Sequence, residues 1–156
     1  MPSYILVLIV WVAILATVVF SVWKGGVAER WAGCLVGGGA VYGFLVARFL
    51  GDEWRTLAFL SGDFLLALGF LGLAVRYASL WLGGAMLLQA VQFMLHAWYM
   101  LGEREADLLH GVVNNADTMG ILVCITFGTV TAWRRRNAAR QAEAARGPDA
   151  SPAPSL

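Results

Sequence analysis

Five long apolar runs, over residues 4–23, 27–50, 56–75, 77–101 and 108–133, alternate with short charged or glycine-rich breaks. Each run reaches the roughly 20 residues that an α-helix needs to cross about 30 Å of hydrocarbon. The breaks hold Lys24-Gly25-Gly26, the segment from Gly51 to Arg55, Arg76, and Gly102-Glu103-Arg104-Glu105-Ala106-Asp107. The pattern predicts an all-α fold, a polytopic transmembrane bundle of five spans over residues 1–136. Residues 137–156 follow as a cytoplasmic tail, helical to about Arg146 and disordered beyond it. The first run has no basic segment before it and no small-x-small site before Lys24, so it is expected to stay as an uncleaved span. Trp81, Trp98 and Tyr99 stand near span ends, where aromatic anchors belong.

Polar residues inside the runs are few and regularly placed. Gln89, Gln92 and His96 fall at i, i+3 and i+7, and His110, Asn114 and Asp117 at i, i+4 and i+7, so each set occupies one helical face. Both stripes climb to the same acidic connector, and a helical hairpin sets them side by side. Asn115 adjoins the second stripe. Asp63 lies about two turns, ~10 Å, inside the third run. A bare carboxylate at that depth costs about 2.5 kcal/mol or more. Hydrocarbon solvates none of these groups, so the seam they form is expected to turn inward as a candidate polar pocket.

The second run carries two interleaved GxxxG spacings, Gly33/Gly37 and Gly39/Gly43. Stripped of side chains, such a face lets a neighbouring helix approach closely. Packing within one bundle is the first reading of it, and an oligomer interface the second. A phosphate cradle would need a following Lys and Ser/Thr, which are missing. Cys34 and Cys124 are about ninety residues apart, form no CxxC pair, and read as small buried fillers.

At 60% apolar and 13% charged, the 156-residue chain lies outside the range of ordinary soluble domains. Its formal net charge of +1 gives no reason to expect nucleic acid. Lys24, Arg30, Arg76, Arg134, Arg135, Arg136 and Arg140 fall on one side of the five-span layout; Arg48, Arg55 and Arg104, with most carboxylates, fall on the other. The positive-inside rule then puts the N-terminus outside and the C-terminus inside. Arg134, Arg135 and Arg136 become a stop-transfer and anionic-lipid anchor. In this orientation Asp63, Gln92, His96, His110, Asn114 and Asp117 share the outer half, with Gln89 deeper.

Three readings of the seam stay open. In the first, the polar groups hydrogen-bond across helices and fix which faces meet, at about 0.6 to 2 kcal/mol per bond. The protein is then a non-catalytic accessory or assembly subunit, packing with itself or with a partner membrane complex, and holds no cofactor. In the alternative, the seam is a ligand- or proton-handling pocket of a small transporter or sensor. In the third, His96 and His110 ligate a b-type haem, or join Asp63 and Asp117 around a metal. No motif pairs a nucleophile with a base, so enzymatic activity is not supported.

Asp63, Arg76-Tyr77, Leu80-Trp81, Gly84, Leu87-Leu88-Gln89, His96, Gly128-Thr129 and Trp133-Arg134-Arg135 together resemble a set of small alphaproteobacterial multi-pass membrane proteins. The resemblance covers the C-terminal half, implies a bacterial inner membrane, and brings no activity or site with it.

Overall fold

The computed structural model describes residues 3–102 and 107–146. Residues 103–106 of the acidic connector, and the tail from residue 147 expected to be disordered, lie outside them. The described residues form five α-helices: α1 (Ser3–Lys24), α2 (Val27–Phe49), α3 (Asp52–Tyr77), α4 (Leu80–Leu101) and α5 (Leu108–Arg146). Each is long and apolar enough to cross a membrane. Consecutive helices pack side by side and α5 returns to α1, so the five close into a ring, with α2 and α5 also touching across it.

The ring has two distinguishable ends. The basic end carries the α1–α2 and α3–α4 turns and the projecting part of α5; the acidic end carries the α2–α3 and α4–α5 connections. At the basic end Glu29 accepts a hydrogen bond from the Gly26 amide (2.9 Å), satisfying an orphan donor at the start of α2. At the acidic end the Asp107 carboxylate accepts one from the His110 amide (2.9 Å) and caps α5.

Two boundaries differ from those the sequence suggests. Residues 52–55 are not a loop: α3 starts at Asp52, directly after an extended Gly51. Acidic residues suit the first turn of a helix, where unpaired N–H groups point outward. Asp63 is consequently eleven residues inside α3, ~16 Å rather than ~10 Å. Tyr77 closes α3 instead of opening α4, because Ala78 takes a left-handed conformation (φ 44°, ψ 45°) that ends the helix.

Glycines set the helix spacing on several sides of the ring. Gly33 and Gly37 receive Ser21 and Val18 of α1, whereas Gly39 and Gly43 receive Leu66 and Phe59 of α3. The two interleaved spacings thus serve two different neighbours within the chain. Between α4 and α5, a Cβ on Gly120 would lie 2.7 Å from Leu88, and one on Gly128 would lie 2.5 Å from the Trp81 indole. Trp81, at the start of α4, is packed over Gly128.

The packed core occupies the basic half. Ala32, Phe70, Leu82, Ala85, Ile121 and Ile125, from α2, α3, α4 and α5, form one buried cluster. The outer surface is apolar, with Leu15, Phe44, Leu65, Leu87 and Val123 among many large hydrophobic side chains facing out. Helices that are apolar on both faces suit a lipid environment rather than water. Across the ring closure, Arg136 of α5 donates hydrogen bonds to the Gly25 carbonyl (3.1 Å) and the Lys24 carbonyl. A cation on the last carbonyls of α1 is favoured by the dipole of that helix.

Candidate functional site

The acidic half of the ring is hollow. A cavity of about 620 Å³ lies among all five helices, running along α3 from Arg55 to Leu66 and along α4 from Gln89 to Met100. Eleven residues of helix correspond to ~16 Å of length. The floor is formed by Leu66, Gln89 and Ile121, the last of which also belongs to the packed cluster. Arg55, Thr56, Tyr99 and Met100 stand at the acidic end.

Its walls differ in chemistry. On one side α1 and α2 present Ile14, Val36, Gly39, Ala40 and Gly43. On the other, α4 presents the stripe Gln89, Gln92, His96 and Tyr99, and α5 presents His110, Asn114 and Thr118. Asp63 of α3 completes the polar side. Helical periodicity is the reason these side chains share a wall: spacings of three, four and seven residues return to one face.

Within this wall the polar groups pair across helices. The His96 Nδ1 and the Asp63 carboxylate are joined, linking α4 to α3. Gln92 donates to the Asn114 side-chain carbonyl (2.9 Å), linking α4 to α5. The His96 and His110 rings lie 5.0 Å apart at 35°, and Tyr99 meets the other histidine, His110, edge-on at 4.8 Å. The Tyr99 hydroxyl donates to Asp107 (2.6 Å), so the α5 cap is also tied to α4. This hydroxyl, and after it the His110 amide, hold the Asp107 carboxyl below its ordinary range.

Gln89 stands apart from these pairs. It is 2% exposed, and its Nε2 has no hydrogen-bond partner among the described residues. Asp117 is also buried, with one unpartnered carboxylate oxygen, but is not among the cavity-lining residues. Asn115 donates to the Gly111 carbonyl of its own helix (2.7 Å) and likewise stays off the cavity. Six of the eight seam residues therefore line one space: Asp63, Gln89, Gln92, His96, His110 and Asn114. Of the basic cluster, Arg134 and Arg135 are exposed at the basic end, while Arg136 is the clasp to α1.

The arrangement constrains what can be held. The His96 and His110 rings are tilted at 35° with centroids 5.0 Å apart, which leaves no room between them for the macrocycle that bis-imidazole haem places there. Among the described residues no group of three or more His, Cys, Asp or Glu is placed to hold a metal ion. Arg55 at the acidic end and Asp63 deeper in are the lining residues of opposite formal charge.

Sequence reasoning missed the apolar wall, Arg55, Thr118 and the second role of Tyr99. Tyr99 lies three residues past His96 and ten past Gln89, so extending the stripe by one step would have found it. Thr118 is one turn beyond Asn114. Arg55 was hidden by placing the start of α3 too late. Comparison of the chain with family models, with curated proteins and with solved structures found no match.

Proposed function

We propose that the protein is a non-catalytic, ligand-binding integral membrane protein whose hollow half receives a small molecule, in the manner of a sensor or carrier. The observation that supports this is the cavity: about 620 Å³, framed by five helices, with an apolar wall facing a polar one. Pockets of a few hundred cubic ångströms with a small number of fixed polar groups are the usual form of small-molecule sites. A bundle stabilised by polar pairs alone has no use for such a space. The chain crosses a bacterial inner membrane five times, with the basic end in the cytoplasm. The pocket is then in the outer half, and Arg134 and Arg135 meet anionic lipid at the inner face.

Thiol labelling tests the pocket and its direction together. With Cys34 and Cys124 replaced by alanine, Thr118→Cys is expected to react with a membrane-impermeant maleimide added outside spheroplasts. Ala40→Cys, on the opposite wall, should behave alike, and Leu15→Cys on the outer surface should not. Reaction only from the cytoplasmic side overturns the orientation; no reaction at either cavity position overturns the open pocket.

A second reading, as an accessory subunit of a larger membrane complex, is favoured by a separate feature. Beyond Trp133, α5 continues to Arg146 as a helix carrying Arg134, Arg135, Arg140, Gln141 and Glu143. It projects ~20 Å from the bundle. Such a polar helix serves as a docking arm for a partner. Deleting residues 137–156 should then abolish partner recovery in mild-detergent pull-downs while cavity labelling is preserved; unchanged recovery removes this reading.

A further inference from the structure

The chain has two histidines, and the α4–α5 hairpin brings both to one place in the cavity wall. Their ring centroids are 5.0 Å apart. The His96 Nδ1 is bound to the Asp63 carboxylate, which only accepts, so Nδ1 carries the ring hydrogen and Nε2 is the nitrogen left for a further proton. Both side chains keep some exposure, 20% for His96 and 12% for Asp63, and both line the cavity. The His110 ring rests against His96 and Tyr99, while its amide, not its ring, is the group bonded to Asp107.

Among the described residues, the charges facing this pair come from few places. From α3 come Asp63, at the pair, and Arg55, at the acidic end; α4 adds the Tyr99 phenol. From α5 come Asp107 at the cap and Asp117, which is buried off the cavity. The residues that α1 and α2 present, Ile14, Val36, Gly39, Ala40 and Gly43, have no ionisable group. The Asp107 carboxylate is already engaged by the Tyr99 hydroxyl and the His110 amide. One carboxylate therefore stands directly against two imidazoles. A first proton on the pair is offset by Asp63. A second sets two cations on rings 5.0 Å apart. At an effective dielectric of about 20, their repulsion weakens its binding on the order of a hundredfold.

We propose that His96 and His110 share one exchangeable proton, with Asp63 as its fixed counter-charge, and that this proton sets the charge of the pocket. Without it, Asp63 leaves the polar wall negative; with it, that charge is cancelled. A ligand that distinguishes the two forms is then bound together with, or against, a proton, and the coupling is reciprocal. The protein becomes a proton-responsive sensor or carrier. The inference rests on the pocket reading above, since the proton has to reach the pair from the acidic end.

Because the chain holds two histidines, isotopic labelling of histidine nitrogen reports these rings alone. The full chain in lipid nanodiscs is titrated from about pH 9 to about pH 4, either side of the ordinary imidazole value, and followed by NMR. The expected result is one proton taken up across both rings, followed by a second bound about a hundredfold more weakly. His110→Gln should leave His96 with a single step, and Asp63→Asn should weaken uptake of the first proton at least about tenfold. The native titration needs no variant to fold. Two independent curves, or a His96 curve unchanged in His110→Gln, overturn the shared proton and leave the pocket standing. First-proton uptake unchanged in Asp63→Asn overturns the counter-charge. If neither ring exchanges a proton across the range, the pair is sealed from solution, and the pocket reading falls with the inference.

Discussion

The two halves of the ring are built from the same five helices and differ in what their inward positions carry. In the basic half, Phe70, Leu82 and Ile125 meet with no measurable exposure, and glycines at 120 and 128 let Leu88 and Trp81 close the α4–α5 seam. In the acidic half, amides, imidazoles and a carboxylate replace those side chains, and the helices stand apart around a cavity. Apolar side chains in lipid gain by dispersion contact and so collapse onto one another. Polar groups must instead be matched in direction, which fixes pairs at set distances and leaves space between them. The first half is a foundation, and the second is a container.

Substitutions should separate the halves by magnitude. Phe70→Ala removes the largest fully buried side chain and is expected to cost about 3 kcal/mol or more in reversible detergent unfolding. Ala40→Phe, in the hollow half, is expected to change stability by less than about 1 kcal/mol. Equal penalties would erase the distinction between the two halves. Next, His96→Leu leaves the Asp63 carboxylate without its partner and should cost about 2 kcal/mol, discounted because both groups retain some exposure. The Asp63→Leu/His96→Leu double variant should recover part of that loss, and a double-mutant cycle reads the coupling. If the double loses the sum of what the two singles lose, the pair is not an energetic unit.

Smaller effects refine the picture. Gln92→Leu should cost about 1 kcal/mol, the ordinary worth of an interhelical hydrogen bond in a membrane bundle. Ala78→Gly should stabilise the α3–α4 turn by up to about 1 kcal/mol, because glycine adopts the left-handed conformation without a Cβ conflict; a drop in melting temperature would contradict that. The weakest effect belongs to Asp107. Its pKa is lowered in the folded protein, so its contribution is complete above the ordinary carboxylate range and is lost as pH falls through the lowered value. Acid-melting curves of Asp107→Asn and the native chain should therefore differ at neutral pH and converge in acid, and Tyr99→Phe should move the convergence toward higher pH.

Much of the fold was legible from the runs themselves, since a span of some twenty apolar residues has few alternatives. The faces were legible as well: spacing placed Gln89, Gln92 and His96 together, and those three line one wall of the cavity. What spacing could not reveal was the space itself. A stripe of polar residues reads alike whether its partners fill the gap or stand back from it, so packing was the first reading of the seam. Asp117 shows the same limit from the other side, sharing the spacing of His110 and Asn114 but lying off the cavity, because a few tens of degrees of helix rotation separate lining from lateral burial. Ala78 carries no turn signature, so Tyr77 was assigned to the wrong helix; only backbone geometry marks that corner.

The contact between α1 and α5, held at the basic end by Arg136, has a consequence for how the molecule comes into being. Synthesis proceeds from the amino end, so the helix that completes the circle is the last to emerge. Until it arrives, the first four helices form an open trough in which Gln92 lacks Asn114. The container exists only in the finished chain, and a nascent protein stalled before residue 108 has a wall but nothing to enclose.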